Sequence, residues 1–266
     1  KGGGSMKITA LVENTVSGQL AGTLGREHGL SLYIEALGHR ILFDMGQTDL
    51  FARNAAALGA DLAAVDLAVL SHGHYDHGGG LARFLALNSA APVWLNEHAF
   101  EPHYHGRERY IGLDPALAVS PRLRFAGDRA VIAPGLTLFT CNGRPRRQQT
   151  DAAGLTVREG DAFLPEDFRH EHYLLIEEGG RRVLVSGCSH KGILNIADWF
   201  CPDVLVGGFH FSGLPLDETL TGYARALEAY PTVFYTCHCT GRPQYEWMAQ
   251  SMSRLHYLST GQTIEL

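Results

Sequence analysis

Leu70-Ser71-His72-Gly73-His74-Tyr75-Asp76-His77-Gly78-Gly79-Gly80-Leu81 places three histidines and one aspartate within six residues, between an apolar run and a glycine cluster. A hydrophobic core has no use for imidazole at that density. Neutral imidazole and carboxylate are the usual side-chain ligands of zinc and other first-row divalent metals, so the stretch predicts one half of a metal site. His72 and His74 are two apart and, in an extended segment, project to one side, where they can chelate one ion. Asp76 and His77 fall where the chain turns into a helix; they point differently and suit a second ion. Gly73 and the run Gly78-Gly79-Gly80 permit the tight backbone that such crowding needs. Two ions about 3.5–4 Å apart would polarise an electrophile and activate the group that attacks it.

The remaining donors should lie just past other strand ends. Leu67-Ala68-Val69-Leu70 is a compact apolar strand running straight into the histidine loop. The strand read at 181–186 delivers Cys188 and His190, that at 203–206 delivers His210, and that at 232–236 delivers His238. In α/β architectures ligands gather at the carboxyl ends of strands, so these histidines are expected to converge in one cleft. Earlier strands are read at 7–12, 30–36 and 40–43, the last ending at Phe43-Asp44-Met45-Gly46. A helix follows from Thr48 to Leu58, closed by Gly59. Further helices are read at 81–87, 192–200, 216–230 and 242–252. Glu13 and Asn14, after the first strand, border the cleft or form an ordinary turn. Residues 99–170 read as an insertion or lid, irregular except for a strand at 135–140. There His103, His105, Arg107 and Arg109 either decorate a solvated excursion or contact an anionic substrate, since arginine suits phosphate and carboxylate. The same two readings hold for Arg144, Arg146 and Arg147.

Composition bounds the rest. The chain has 266 residues, 45% hydrophobic and 19% charged, as expected of one globular α/β unit with a sizeable core. The net charge of −6 argues against a general nucleic-acid binder. The five cysteines, an odd number in a chain of this length, argue against a disulfide framework and for a reducing compartment. No apolar run is long enough to span a membrane. Lys1-Gly2-Gly3-Gly4-Ser5 reads as an expression remnant before Met6, leaving 6–266 as a single domain, and no secretory signal follows, so the cytoplasm is the expected compartment.

Ser71-His72-Gly73-His74-Tyr75-Asp76-His77-Gly78-Gly79 resembles the His-x-His-x-Asp-His signature of the metallo-β-lactamase fold superfamily. Phe43-Asp44-Met45-Gly46 resembles that superfamily's element upstream of the signature. Glu27-His28-Gly29-Leu30-Ser31, Ser186-Gly187-Cys188-Ser189-His190, Gly207-Gly208-Phe209-His210 and Cys237-His238-Cys239-Thr240-Gly241 are similar to one branch, the dihydropteroate-synthase-like group. That branch includes an enzyme joining a pterin methyl diphosphate to a ribofuranosylaminobenzene phosphate. The resemblance spans Met6 to about Gly241. It implies an α/β fold of the four-layer αββα sandwich type with metals at one edge. It implies that His72 and His74 bind a first ion with a third histidine, for which His190 is the choice over His170 and His172. It implies that Asp76, His77 and His238 bind a second. Most members carry Gly-Asp where this chain has Gly187-Cys188, so the bridge between the ions is a Cys188 thiolate, a water, or absent. His210 binds metal, binds substrate or supports a ligand; Asp44 supports a ligand or fixes the loop in preference to binding metal itself.

The expected cofactor is one or two divalent ions, zinc first, with iron or manganese compatible. The expected activity is metal-dependent hydrolysis of an ester, phosphoester or related bond in a small molecule, anionic or pterin-like, with Asp76 orienting the nucleophile or sharing its proton. The rival readings are a transferase that releases diphosphate from a pterin substrate and a non-catalytic metal-binding sensor.

Overall fold

Strands buried on both faces give this chain its near-continuous apolar runs. A computed structural model describes residues 5–266; the remnant read at 1–5 lies, apart from Ser5, outside them. β1 (Lys7–Val12), β2 (Ser31–Ala36) and β3 (His39–Phe43) pair antiparallel. α1 (Leu50–Leu58) returns the chain, so that β4 (Leu67–Val69) runs parallel to β3. The one-turn α2 (Tyr75–Gly78) and α3 (Leu81–Leu87) lead to β5 (Val93–Asn96), parallel to β4. β6 (His103–His105) and β7 (Arg109–Tyr110) begin a separate small sheet, and β8 (Leu123–Ala126) then rejoins the first sheet beside β5. β9 (Arg129–Ala133) and β10 (Leu136–Phe139) open the second large sheet, while β11 (Leu155–Glu159) and β12 (Ala162–Pro165) complete the small one. The second sheet continues with the hairpin β13 (Tyr173–Glu178) and β14 (Arg181–Val185). α4 (Ile193–Phe200), α5 (Glu218–Glu228) and α6 (Arg242–Met248) then alternate with the parallel strands β15 (Val204–Gly207), β16 (Val233–Thr236) and β17 (Leu255–Tyr257). β18 (Thr263–Glu265) crosses back to pair with β1.

The result is two seven-stranded sheets face to face with helices outside both. Strand alternation builds each layer. Ile41 and Phe43, Val183 and Val185, and Val204 and Val206 point into the core between the sheets. Leu42 and Ala68 point outward under Phe51, Ala55, Leu81 and Phe84 of α1 and α3. Leu184, Leu205 and Phe234 point outward under Ile193, Ile196, Leu220 and Met248 of the later helices. This is the expected αββα arrangement of layers.

The stretch 99–170 divides between frame and excursion. β8, β9 and β10 belong to the two large sheets, and only the four-stranded sheet β12-β11-β6-β7 stands apart. Leu123-Arg124-Phe125-Ala126 is short and carries an arginine, which hides a framework strand from pattern reading.

Two glycines let backbone segments approach at the carboxyl ends of the strands. A Cβ on Gly73 would lie 1.9 Å from the carbonyl oxygen of Ala99. Gly207, at φ 151°, would bring its Cβ 1.9 Å from the Ser186 oxygen. Replacing Gly73 with alanine is therefore expected to destabilise the fold by about 1–3 kcal/mol through overpacking, measured as a lower urea midpoint at constant slope. An unchanged midpoint would show that Ala99 does not clamp the histidine loop.

Candidate metal centre

The carboxyl ends of β3, β4, β14, β15 and β16 deliver the polar side chains of one cleft. β3 ends at Asp44, a buried residue held at φ 61°. One Asp44 oxygen accepts the Ser71 N–H at 2.7 Å. The other accepts the Ser71 hydroxyl at 2.7 Å and the Nδ1–H of His77 at 2.7 Å. With its hydroxyl proton committed to Asp44, Ser71 Oγ accepts from Nδ1 of His72 at 2.8 Å. Both histidines thus carry a proton on Nδ1 and turn Nε2 inward, the usual way a ligand imidazole is oriented.

The opposite wall is fixed in the same manner. Past the end of β14, the backbone N–H groups of His190, at 2.8 Å, and Lys191, at 3.2 Å, donate to the buried carboxylate of Glu171, which precedes β13. Lys191 is itself buried and donates to the carbonyls of Thr140 and Glu171. Burial pulls its ammonium down to about 8, against the opposing pull of Glu171. After β16, His238 sits at φ 52° with its N–H on Glu13 Oε1 at 2.6 Å and its Nδ1–H on Asn14 Oδ1 at 2.7 Å. Glu13 and Asn14 follow β1, so these bonds join the two large sheets at the cleft.

The donor set fits divalent cations. Nε2 of His77 and Nε2 of His238 face each other at 3.1 Å, with both Nδ1 protons already committed elsewhere. Two imidazole lone pairs repel at that distance unless a positive charge lies between them. Burial pulls His77 down, but the Asp76 and Asp44 carboxylates outweigh it and lift His77 to about 9, so a proton supplies that charge. A divalent ion would take the proton's place. Burial alone would raise Asp76; His77, His238 and His28 overcome it and hold the carboxyl well below the usual carboxylate range. Nε2 of His72 and both ring nitrogens of His190 are buried without partners. Donor atoms of His72, His74 and His190 lie within 4.8 Å of one another, as do those of His28, Asp76 and His238. Cys188 lies between the two sets, its Sγ 3.1 Å from His77 Nε2 and grouped with both His72 and His77. Burial pushes its thiol well up, so only a cation would draw out the thiolate.

Most residues singled out in the sequence meet here: His72, His74, Asp76, His77, Cys188, His190, His210 and His238. His210, at φ 56°, lies tilted against His190 on the cleft wall, with ring centroids 4.4 Å apart. His105 and Arg109 line the mouth. Others lie elsewhere. His103 is fully buried behind His74 rather than on a solvated rim or against substrate. Arg107 packs over Phe163, outside the cleft. Arg144, Arg146 and Arg147 bond to the Trp199 carbonyl, the Asp167 carbonyl and the Asp198 carboxylate, again outside the cleft. His172 donates Nε2–H to the Leu70 carbonyl at 2.7 Å, and His170 accepts the Gly73 N–H on Nδ1 at 2.8 Å. His28 has no place among the site residues named from sequence, although its motif was noted. Asn14 donates to its Nδ1 at 3.2 Å, which leaves Nε2–H for Asp76 Oδ2 at 3.2 Å. Glu171 carries no local signal at all; its role depends on a turn 19 residues away.

A model of the metallo-beta-lactamase superfamily matches residues 24–229. An uncharacterised protein of Methanocaldococcus jannaschii is 28% identical over 244 residues, 88% of this chain and 90% of its own. The 7,8-dihydropterin-6-methyl-4-(beta-D-ribofuranosyl)-aminobenzene-5'-phosphate synthase of the same organism is 25% identical over 240 residues, 81% of each chain. A solved structure described as a metal-dependent hydrolase of the beta-lactamase superfamily superposes with a TM-score of 0.83 at 27% identity, covering 98% of this chain and 99% of the other. The metallo-beta-lactamase fold protein YhfI of Bacillus subtilis shares the fold, with a TM-score of 0.62 at 13% identity over 98% of this chain and 99% of its own. By its layers, its histidine loop and the length matched, the chain belongs to the metallo-beta-lactamase superfamily.

Proposed function

We propose that this chain is a two-metal hydrolase of small anionic esters or phosphoesters. The observation that carries the reading is the 3.1 Å approach of His77 Nε2 to His238 Nε2, with Asp76 Oδ2 3.2 Å from the latter. His72, His74 and His190 would hold one ion. Asp76, His77 and His238 would hold the other, with the Cys188 sulfur placed between them. Zinc is favoured by the imidazole-rich set, and iron or manganese is compatible. Such ions supply Lewis acidity and lower the pKa of bound water.

The chain's own residues do the rest. Asp76, kept ionised, accepts and orients the proton of the attacking group, while His28 Nε2–H steadies its carboxylate. Asp44 and Asn14 hold the His77 and His238 imidazoles against rotation, and Glu13 fixes the His238 backbone. At the mouth, Arg109 Nη2 donates to the Tyr75 hydroxyl at 3.0 Å and its guanidinium lies 5.7 Å over the Tyr75 ring. Arg109 is exposed and supplies a positive charge for a phosphate or carboxylate. Ile111 and Leu155 offer an apolar surface beside it.

The synthase relative, matched over 81% of both chains, supports a second reading: condensation of a pterin methyl diphosphate with an arylamine, with diphosphate leaving. Metal-loaded protein incubated with phosphodiester, ester and lactone substrates, and separately with that pair, decides between the two. Hydrolysis of members of the panel supports the proposal, and condensation alone overturns it. Two ions retained without turnover of any substrate would favour a metal-binding sensor.

Two expectations follow from the site. Arg109→Ala should raise KM for an anionic substrate about tenfold with kcat little changed; equal loss in both would place Arg109 in the chemistry instead. Metal affinity should rise with pH, because the ion must displace the His77 proton. Below about 9, that proton is expected to cost about tenfold in affinity per pH unit, and a Cys188 thiol that ionises on the ion adds to the slope. Chelator competition between about pH 6 and pH 9 reads this slope; a flat profile would remove His77 from the ligand set.

A further inference from the structure

A second buried cluster lies behind the histidine loop, made of His74, His103, Glu166 and His170, with donor atoms within 4.8 Å of one another. All four side chains are buried. His103 donates Nδ1–H to Glu166 Oε2 at 2.7 Å. The other Glu166 oxygen accepts the Phe168 N–H at 3.2 Å and lies 3.6 Å from Nε2 of His170.

Proton accounting decides what this cluster does. His170 accepts the Gly73 N–H on Nδ1, so the proton of its neutral ring is on Nε2. A cation here would need the Nε2 lone pair that His170 does not have. His103 differs: its Nδ1 proton is given to Glu166, and its bare Nε2 is enclosed without a partner. The His74 ring stands edge-on to His103 at 5.6 Å, with an interplanar angle of 82°. His74 lines the cleft, yet its Nε2 is buried and unpartnered. An enclosed acceptor and an enclosed ring nitrogen that can carry a proton therefore stand side by side.

We propose that Glu166 and His103 are positioning residues for His74, holding its proton on Nε2 so that Nδ1 presents its lone pair to the metal. The proposal rests on the metal reading given above. It describes a buried carboxylate–imidazole–imidazole chain, in which a small turn of the His74 ring completes the last hydrogen bond. Partners of this kind fix a ligand's tautomer and raise its basicity. They also link the metal to the small sheet: β6 carries His103, and two residues on, His105 at the cleft mouth.

The test is metal affinity and cobalt spectroscopy on the full chain. Parent, His103→Ala, His103→Gln and Glu166→Gln proteins are loaded with zinc and titrated with a competing chelator, then loaded with Co(II) for visible absorption spectra. His103→Ala is expected to weaken one of two ions by about 10–100-fold, with the other unchanged and the spectrum of only one ion altered. His103→Gln, which keeps an acceptor, should recover most of the loss, and Glu166→Gln should show a smaller loss at the same ion. Should His103→Ala fail to fold, the other two variants still read the effect. Unchanged affinities and spectra, or equal weakening of both ions, would overturn the positioning role. A third ion in the parent, lost in His103→Ala, would overturn it in favour of a metal in the cluster. His74→Ala separates the two readings: if it leaves both ions in place, the ligand assignment itself falls.

Discussion

One buried carboxylate, Asp44, sets the histidine loop. It accepts three hydrogen bonds, from the Ser71 amide, the Ser71 hydroxyl and His77 Nδ1. Through Ser71 it also fixes His72. A carboxylate removed from water is costly unless its lone pairs are satisfied, and here satisfying them aims two imidazoles. The stability of the strand ends and the direction of the two imidazoles are thus one requirement. Loss of Asp44 would leave His72 and His77 free to rotate and would remove a charge that helps His77 hold a cation, whether a proton or a metal.

The frame exists to bring distant strand ends to this carboxylate. Each large sheet is antiparallel at one side and parallel at the other, and the parallel strands deliver their loops to the cleft. Glu13 on one sheet receives the His238 amide of the other, and the His172 amide donates to the Ser71 carbonyl at 2.9 Å. Backbone strain concentrates there as well. Asp44, Ser189, His210 and His238 all have φ between 52° and 61°. Such conformations persist only where the surroundings over-determine them, at about 1–3 kcal/mol each. Here the surroundings are the hydrogen bonds that orient the ligands.

Much of this was legible in the sequence because it is local. The spacing from His72 to His77 lies within one loop, and continuous apolar runs such as Val183-Leu184-Val185 mark strands buried on both faces. What escaped reading is non-local. β8 is a framework strand disguised by Arg124 and a polar approach. His103 sits among Tyr104, His105 and Arg107, which reads as solvated; the Glu166 that makes it a buried residue is 63 positions away. His28 and Glu171 are single polar residues whose partners are set by tertiary contact. Arg144, Arg146 and Arg147 suggested anion binding, yet they bond to chain carbonyls and Asp198 along the excursion.

The central claim is that two ions share this cleft. Anomalous diffraction from crystals of metal-loaded protein tests it most directly. The account predicts two peaks: one at about 2.0–2.2 Å from nitrogens of His72, His74 and His190, the other at similar distances from Asp76, His77 and His238, with the Cys188 sulfur at about 2.3 Å from at least one. A single peak, or peaks away from His77 and His238, would contradict it.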